Sequence, residues 1–599
     1  MNAGPAPSSI FAVELIAEFV RRGVSDFVVC PGSRSQALAL AAAAAEQAGA
    51  IRLHVRIDER SAAFFALGVA RETGRPAPII VTSGTAVANL VPAAFEAHEG
   101  RVPFIALTAD RPVELRGRRS NQTTTQAGMF SEIARLSLDV PAPTGEPATS
   151  GSSSFTEPGQ LAAQALSASL GALHRAPAGP VQLNLQFREP LSGTAGFDDM
   201  IAQGFAVAGE EGVEARAIHP TLLVPSIDDA TPDETDPTLY VHGDNALTVV
   251  IAGAGAGAEA EEFAREAGLP LLAEVVSGSR YGREAITAYA SLIADPEVGG
   301  LIERAIVFGH PTLTRQVPSL LERDDVEVIV VDPHTDTDHV QPSRGARVVR
   351  AARVADGHDP HTHRRWLGAW VAPDRELQRE RSSAHVPDLE AARETGYKER
   401  NAYARAEMAA RREPVTRAML VESAWLGTWP HDRLVIAASR LVRVLDGIAP
   451  ARKVTVHANR GLAGIDGTIA TALGIAVTSQ ADPDPKKAAG TTRVILGDIA
   501  LLHDVGSLQL PPDTEVTPRI QLLVGNDGGG TIFDGLEVAA SASTDTFDRV
   551  MLTPQQVDLE ALAHAYGWAY ERAETRVELE RVFTAPVTGP TIVEVPLAR

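Results

Sequence analysis

The chain has 599 residues, too many for a single hydrophobic core, so several domains are expected. Its net charge of −22, from 54 basic and 76 acidic residues, argues against a general binder of nucleic acid or of an anionic membrane. One cysteine excludes an intrachain disulfide framework, and the N-terminus lacks a basic stretch followed by an apolar one; both features predict a cytoplasmic protein.

The first third of the chain alternates predicted helices and strands. Ser9 is predicted to cap a helix that ends near Gly23, and residues 26–30 predict a buried strand followed by a helix from Ser35. Residues 141–158, rich in Pro, Gly, Ser and Thr, predict a long surface loop. Further strands are predicted at residues 52–57, 77–82, 103–108 and 180–185, the last of which closes the sheet.

The rest of the chain continues the same alternation after an acidic, Pro-bearing stretch at residues 209–236. A strand at residues 247–251 leads into a Gly-Ala run, and a last strand is predicted at residues 591–595. Residues 374–412 are highly charged and predict a connecting helix or linker. We therefore predict three doubly wound, parallel-sheet α/β domains and a linker, at residues 1–208, 209–373, 374–412 (the linker) and 413–599.

Two apolar strands in the last third end in acidic loops. One runs into Gly497-Asp498, and the other into Asn526-Asp527, which is followed by three glycines. Mg²⁺ and similar hard cations prefer carboxylate and phosphate oxygens, and neighbouring glycines let the backbone approach a diphosphate. The two loops lie about one crossover unit apart, which resembles the thiamine diphosphate signature. They predict a site for this cofactor with Mg²⁺ or Mn²⁺.

Polar side chains also follow predicted strands in the N-terminal domain. Glu59 comes directly after a strand, where open α/β sheets place ligand sites. Taken singly, such residues are usually solvated or cap a helix. As a set, two arginines and two amides predict recognition of a substrate rich in carboxylate and hydroxyl groups. The set comprises Arg34, Arg111, Asn121 and Gln122, and Ser33 lies in the same turn as Arg34.

The C-terminal domain offers matching candidates. Ser439 and Arg443 follow a predicted strand, and Arg460 lies in a Gly-rich loop before a helix. Ile532 and Phe533 follow the second acidic loop and could form an apolar lid.

An ordered set of motifs in both terminal domains resembles the 2-succinyl-5-enolpyruvyl-6-hydroxy-3-cyclohexene-1-carboxylate synthase family of menaquinone biosynthesis. No single motif decides the resemblance, but the order of the whole set is specific. The motifs are PGSRS at 31–35, DER at 58–60, TSGTAVANL at 82–90, TADRP at 108–112, NQ at 121–122, NRG at 459–461, GIDG at 464–467 and GD at 497–498.

The resemblance implies a transferase with a pyrimidine-binding domain, a central Rossmann-like domain and a diphosphate-binding domain. Its reaction would be decarboxylation of 2-oxoglutarate and conjugate addition of the succinyl carbanion equivalent to isochorismate. The cofactors would be thiamine diphosphate and Mg²⁺ or Mn²⁺. Active sites would lie between subunits of a homodimer or homotetramer, with no nucleic-acid or membrane partner.

The resemblance also implies residue roles. Glu59 would be the carboxylate that activates the cofactor, Ile465 the residue that holds it bent, and Ser439 and Arg443 would bind the distal carboxylate of 2-oxoglutarate. Arg34, Arg111, Asn121, Gln122 and Arg460 would face isochorismate, together with Ser33, Ile532 and Phe533 as substrate contacts. Gly464, Gly497, Asp498, Ile499 and Gly529 would contact the cofactor, with Asp498, Asp527 and the Gly529 carbonyl as metal ligands.

Three positions depart from the expected patterns. Ile499 replaces the glycine of the general cofactor signature, which is usual in this family. Asp527 stands where many relatives have asparagine, and the added charge predicts a tighter dependence on Mg²⁺. Ser439 follows Ala438 rather than a Gly-Asn pair, which weakens the role implied for it.

Other functions remain open at this point. The run from Gly253 to Ala258 fits a dinucleotide-binding loop with Glu274 about twenty residues on, so an NAD-dependent oxidoreductase is one alternative. Another thiamine diphosphate-dependent 2-keto acid decarboxylase or ligase is a second, and a catalytically silent binding protein on the same scaffold is a third. His358, His361 and His363 fall in a polar segment, which favours a solvated linker over a metal site.

Overall fold

The computed structural model describes residues 6–144, 157–172, 176–193, 236–334, 345–510 and 515–599. The chain divides into two compact units. The first unit comprises Met1–Asp229, Asn459–Ala489 and Asp504–Thr517, and the second comprises Ala230–Ala458, Gly490–His503 and Pro518–Arg599.

The first unit contains a parallel sheet whose inner strands are buried along their whole length. Its strands are β1 (Asp26–Val29), β2 (Arg52–Val55), β3 (Ile79–Val81), β4 (Phe104–Asp110), β5 (Leu136–Val140) and β6 (Pro180–Gln186). They pair in the order β2-β1-β3-β4-β6-β5. Buried, apolar strands are typical of a parallel sheet that is covered on both faces.

Helices surround this sheet. The α-helices of the first unit are Pro7–Arg21, Gln36–Gln47, Glu59–Thr73, Thr85–Ala88, Val91–Glu99, Pro158–Ser169, Thr468–Ser479 and Pro485–Ala488, and short 3₁₀-helices lie at Val113–Leu115 and Val505–Leu508.

The helices Glu59–Thr73 and Thr468–Ser479 approach each other at two glycines. A Cβ atom on Gly68 would lie 2.1 Å from the carbonyl oxygen of Thr471, and one on Gly474 would lie 2.2 Å from that of Phe65. Only glycine permits this separation, because any side chain would force the two backbones apart. The contact fixes the helix whose first residue is Glu59.

Two local predictions for this unit were wrong. The first helix begins at Pro7, so Ser9 lies inside it and is buried, and Ala6 occupies the capping position. Proline is favoured at the first helical position because its missing N–H group costs nothing there. Residues 180–185 do belong to a strand, but β6 is internal and β5, which we did not predict, forms the edge.

The second unit contains two larger parallel sheets. The first of them is built from β8 (Thr248–Ala252), β9 (Leu271–Ala273), β10 (Arg304–Phe308), β11 (Glu327–Val331) and β12 (Arg347–Val349), in the order β12-β11-β10-β8-β9. Beside it, β7 (Leu239–His242) pairs in parallel with β13 (Ala351–Val354). The other sheet is built from β14 (Arg433–Ile436), β15 (Val456–His457), β16 (Thr492–Gly497), β17 (Ile520–Asn526), β18 (Ala569–Arg572) and β19 (Thr591–Pro596), in the order β15-β14-β16-β17-β19-β18.

Helices connect these strands as crossovers. The α-helices of the second unit are Glu259–Ala267, Tyr289–Ile293, Gln316–Leu321, Arg364–Arg381, Tyr397–Arg411, Arg417–Gly427, Arg440–Asp446, Asp498–His503, Glu537–Ser541, Thr544–Phe547, Leu559–Ala565 and Arg576–Thr584. Single turns lie at Gly299–Leu301, Pro360–His363, Ala391–Arg393, Thr531–Gly535 and, as a π-helix, Asp548–Leu552.

Parallel strands alternating with helices confirm the predicted α/β class. The predicted domain limits stay predictions, and the one at residue 208 lies outside the described residues, as does most of the loop predicted at 141–158. Across the ranges that the structure describes, no helix combines the length and the apolar character needed to cross a membrane.

Candidate cofactor and substrate site

Four neighbouring strands of the first unit bring the N-terminal candidates to one edge of the sheet. In the order β2-β1-β3-β4, the residues just beyond their carboxyl ends include Glu59, Arg34, Ser83 and Arg111. Ligands of open α/β sheets bind at this edge. The sheet therefore gathers a carboxylate, two guanidinium groups and a hydroxyl from segments that are distant in sequence.

Glu59 is the first residue of its helix. The side chain of the capping residue Asp58 accepts hydrogen bonds from the backbone N–H groups of Arg60 (2.9 Å) and Ser61 (3.4 Å). The Glu59 side chain is half-buried, and its Oε2 accepts a hydrogen bond of 3.4 Å from Nδ2 of Asn89. The cap holds Glu59 at a fixed place at the start of this helix.

Arg34 and Arg111 place two cations near each other. Burial lowers the pKa of the Arg34 guanidinium, the charge of Arg111 lowers it further, and Glu189 and Asp110 oppose the change. Arg34 donates a hydrogen bond of 3.1 Å to the carbonyl of Phe187. Two guanidinium groups that destabilise each other form a favourable site for a carboxylate, which would relieve the repulsion.

Ser83 holds Arg111 and Gln122 together. Nη1 of Arg111 donates to Oγ of Ser83 and to the carbonyl of Gln122, both at 2.7 Å. The buried Ser83 hydroxyl donates to that same carbonyl at 2.9 Å, and Nε2 of Gln122 donates to the Ser83 carbonyl at 2.9 Å. Gln122 has a left-handed backbone (φ 55°), and Asn121 beside it is exposed. Ser83 belongs to the TSGTAVANL motif at residues 82–90, but it was not among the site residues predicted from the sequence.

The loop that carries Arg460 is held by a glutamate we did not predict. Both carboxylate oxygens of Glu96 accept backbone N–H groups of this loop, from Gly461 (2.9 Å) and Leu462 (2.7 Å). Glu96 is buried and forms an ion pair of 2.8 Å with Arg71. Arg460 is buried as well. The two hydrogen bonds to the Glu96 carboxylate therefore fix the backbone on the C-terminal side of Arg460.

Gly464 and Ile465 lie farther along the same loop, and both are half-buried. The loop ends at Gly467, which has a left-handed backbone (φ 66°). A Cβ atom at Gly467 would lie 1.9 Å from the ring of Phe64, so glycine is required at this position.

The second unit brings the two acidic loops side by side. β16 and β17 are neighbours, and their register pairs Gly497 with Gly525. Asp498 and Asp527 follow these paired positions, so both carboxylates lie at the carboxyl edge of one sheet. This adjacency follows from the parallel pairing alone.

Asp498 has the features of a metal ligand. It is 4% exposed, and its Oδ2 has no hydrogen-bond partner among the described residues. Burial raises the pKa of Asp498 to about 6, with a contribution from the charge of Asp527, while the N–H groups of Ile499, Asp498 and Gly529 oppose the rise. A divalent cation bound to this oxygen would replace the missing partner and offset the repulsion, so the residues fit the metal that the fold implies.

Asp527 is already paired with an arginine. Nη2 of Arg417 donates to its Oδ2 at 2.7 Å, and the Thr531 hydroxyl donates to the same oxygen.

Gly529 lies two residues farther along this loop. Its backbone has a positive φ of 147°, and a Cβ atom there would lie 2.4 Å from the carbonyl oxygen of Leu552. The Gly529 carbonyl accepts the N–H group of Thr531 at 2.9 Å, which leaves its second lone pair for a cation.

The remaining candidates lie at the same edge. The Ser439 hydroxyl caps the helix Arg440–Asp446 by accepting the N–H group of Leu441 at 3.2 Å. Arg443 is exposed and donates to the Ser439 carbonyl at 3.0 Å. Arg440, which we did not predict, donates to the Thr531 carbonyl at 3.4 Å. Ile532 and Phe533 are half-buried in the turn that follows.

The Gly-Ala run of the central sheet is poorly suited to a dinucleotide. A Cβ atom on Gly253 would lie 2.0 Å from the backbone nitrogen of Pro311, so this glycine serves close packing. The helix that follows carries Glu259, Glu261 and Glu262 in its first turn, which would repel a pyrophosphate. Oε1 of Glu274 accepts two backbone N–H groups of the neighbouring loop at 2.6 Å each. These charges argue against the oxidoreductase alternative.

Comparisons with known proteins identify relatives over the whole chain. Residues 11–132 match the family described as "Thiamine pyrophosphate enzyme, N-terminal TPP binding domain". Proteins named 2-succinyl-5-enolpyruvyl-6-hydroxy-3-cyclohexene-1-carboxylate synthase are 51% identical in Leifsonia xyli subsp. xyli and 49% identical in Clavibacter michiganensis subsp. michiganensis, each over 99% of this chain and 97% of the relative. The protein of that name in Mycolicibacterium smegmatis is 35% identical over 98% of this chain and 96% of its own length.

Proposed function

The chain belongs to the 2-succinyl-5-enolpyruvyl-6-hydroxy-3-cyclohexene-1-carboxylate synthase family, and we propose that it catalyses the reaction of that name in menaquinone biosynthesis. In this reaction 2-oxoglutarate loses CO₂ and its succinyl fragment is joined to isochorismate. The observation that carries the proposal is the extent of the similarity, which is 51% identity over 99% of this chain and 97% of the relative. The proposed location is the cytoplasm.

Thiamine diphosphate, when bound, supplies the electron sink that a 2-oxo acid needs in order to lose CO₂. Asp498, Asp527 and the carbonyl of Gly529 would hold Mg²⁺ or Mn²⁺ beside the diphosphate. Gly464, Ile465, Gly497 and Ile499 would contact the rest of the cofactor. The support for this assignment is the lack of a hydrogen-bond partner for Oδ2 of Asp498 among the described residues, together with its raised pKa.

Glu59 would hold a proton against the pyrimidine ring. Its half-buried carboxyl group supports this role, since partial burial limits exchange with water. Asn89, which donates to Oε2 of Glu59, would keep the carboxyl group oriented.

The arginines would bind the dicarboxylate substrates. Arg34 and Arg111, with Ser83 and Gln122 supporting Arg111, would bind isochorismate together with Ser33, Asn121 and Arg460. Arg443 and Ser439 would bind the distal carboxylate of 2-oxoglutarate, and Ile532 and Phe533 would exclude water from it. Charge supports this assignment, because these cations are concentrated at sheet edges in a protein of net charge −22.

We expect the active sites to lie between subunits, with a homodimer as the smallest active form and a homotetramer as the other candidate. The family resemblance supports this expectation.

The test is isochorismate-dependent release of CO₂ from 2-oxoglutarate with thiamine diphosphate and Mg²⁺, with pyruvate as the comparison substrate. Glu59→Gln should lower the rate about 10²- to 10⁴-fold, the range of general acid–base catalysis, because the amide cannot exchange a proton in this way. Cofactor binding, followed by calorimetry, should persist in Glu59→Gln. Preference for pyruvate, or full activity of the variant, would contradict the proposal.

A further inference from the structure

Three histidines from two distant segments meet in the second unit. His242 ends β7, whereas His358 and His363 lie on either side of the start of the turn Pro360–His363. One ring nitrogen of each lies within 4.8 Å of the others. His242 and His363 are buried and His358 is half-buried. The sequence favoured a solvated linker for residues 358–363, and no sequence pattern connected them to His242.

The spacing of the three rings matches a common ligand position. Nε2 of His242 lies 3.4 Å from Nε2 of His363. Two imidazole nitrogens on a tetrahedral zinc ion, each about 2.0–2.1 Å from the metal, are about 3.4 Å apart. The ring centroids are nearly equidistant, at 5.5 Å for His242 and His358, 5.4 Å for His242 and His363, and 5.7 Å for His358 and His363.

The three histidine rings form a triangle, and hydrogen bonds to groups outside this triangle orient each ring. Nε2 of His358 lies 3.2 Å from the carbonyl oxygen of Ala267, which leaves Nδ1 as its ligand atom. Nδ1 of His242 lies 3.4 Å from the Tyr240 hydroxyl, which leaves Nε2 toward His363. The backbone of Asp244 bonds to the ring of His363. Metal-binding histidines characteristically use their second nitrogen in this way, because the bond fixes the tautomer and the ring direction.

We propose that His242, His358 and His363 bind a divalent transition-metal ion of the zinc type, separate from the Mg²⁺ loop. Imidazole nitrogen suits Zn²⁺ and its neighbours in the transition series, whereas Mg²⁺ requires oxygen ligands. The ion would connect β7 to the segment around residues 358–363. A fourth ligand position remains for water or another donor.

The alternative is that the three rings are ordinary core histidines that satisfy one another. Two Nε2 atoms that face each other share a single hydrogen bond at most, and their separation of 3.4 Å is long for one. A shared cation satisfies both atoms at that distance, which favours the metal site.

The experiment uses the full-length chain without a polyhistidine tag, in excess Mg²⁺ to fill oxygen sites. Metal analysis after gel filtration should find about one Zn²⁺ per chain, and Co²⁺ in its place should give the visible absorption of tetrahedral nitrogen coordination. His358→Asn and His242→Gln should each weaken Zn²⁺ binding at least about tenfold. His361→Asn is the matched control, because His361 is exposed in the same segment and lies outside the triangle; it should bind Zn²⁺ as the wild type does.

Three results would overturn the proposal. They are the absence of Zn²⁺ from the folded wild type, equal losses in the His361 and His358 variants, and loss of Zn²⁺ in Asp498→Asn with retention in His358→Asn. The last result would place the ion in the acidic loops. His358 is half-buried, so its variant remains informative even if His242→Gln fails to fold.

Discussion

Single residues in the acidic loops determine how strongly the proposed site attracts a cation. Asp527 brings a second negative charge close to Asp498, and Nη2 of Arg417 lies 2.7 Å from its Oδ2. The arginine compensates for part of the extra charge. Neither residue's effect can be judged without the other, because removing one leaves its partner's charge beside the metal position.

Asp527→Asn should weaken metal binding about tenfold or more, since it removes a ligand charge and leaves Arg417 facing the cation. Arg417→Met should change affinity in the opposite direction, because Asp527 then keeps its full charge. Titration with Mn²⁺, followed by loss of the free-ion electron paramagnetic resonance signal, measures both without relying on activity. Equal affinities in the wild type and Asp527→Asn would refute the prediction.

At the scale of secondary-structure elements, the helix of Glu59 and the helix Thr468–Ser479 pack closely against each other at Gly68 and Gly474. Gly68→Ala would normally favour a helix by about 1 kcal/mol. Here the added methyl group would lie 2.1 Å from a carbonyl oxygen, and overpacking typically costs about 1–3 kcal/mol. We therefore expect a lower unfolding temperature and, because the Glu59 helix must shift, lower activity.

The control for this prediction is Gly368→Ala. Gly368 lies inside the helix Arg364–Arg381, and a Cβ atom there has nothing within 4 Å. This change should stabilise by about 0.4–1 kcal/mol. Thermal denaturation followed by circular dichroism compares the two, and a Gly68 variant as stable as the wild type would show that the helices can separate at no cost.

A buried charge cluster joins β1, β2 and the segment at Glu515. His54 is buried, with Nε2 2.9 Å from Asp26 and Nδ1 3.4 Å from Glu515, while Arg52 and Arg56 pair with these two carboxylates. Burial lowers the pKa of His54, but the bonds to Asp26 and Glu515 outweigh it, so the pKa is raised. Burial would raise the pKa of Asp26, but its hydrogen bonds with His54 and Arg52 hold that pKa well below its usual range.

These shifts give stability a definite pH dependence. The contribution of His54 is fully present below about pH 6.5, the unfolded value, and is lost as the pH rises through its higher folded pKa. The contribution of Asp26 has the opposite sign and is lost only in strong acid. In thermal denaturation between about pH 6 and pH 9, His54→Gln should remove part of the alkaline loss of stability. An unchanged slope in the variant would exclude His54 as its source.

For the whole molecule, the proposed arrangement of subunits can be tested by complementation. Glu59→Gln and Asp498→Asn should each be inactive alone. If Glu59 of one subunit works with Asp498 of another, mixed dimers contain one complete site, so random mixing in equal amounts should restore about a quarter of wild-type activity. Unfolding and refolding the two variants together provides the mixture. Activity no higher than that of either variant would show that both residues act from the same chain.

Much of the fold and part of the candidate site could be predicted from the sequence. Alternating apolar strands and helices determined the α/β class, because buried parallel strands require crossovers of this kind. The same logic placed Asp498 and Asp527 together, since each directly follows a parallel strand and the two strands are neighbours. The ordered motifs also identified the family.

Only the tertiary structure decided the contacts between segments that no local pattern connects. Ser83 supports Arg111 and Gln122, Arg417 neutralises Asp527, and His242 joins two histidines more than a hundred residues away. Such partners depend on strand order and on how closely helices approach, which arise from packing over the whole unit. Periodicity along the chain reports which face of an element is buried, but it does not report what lies against that face.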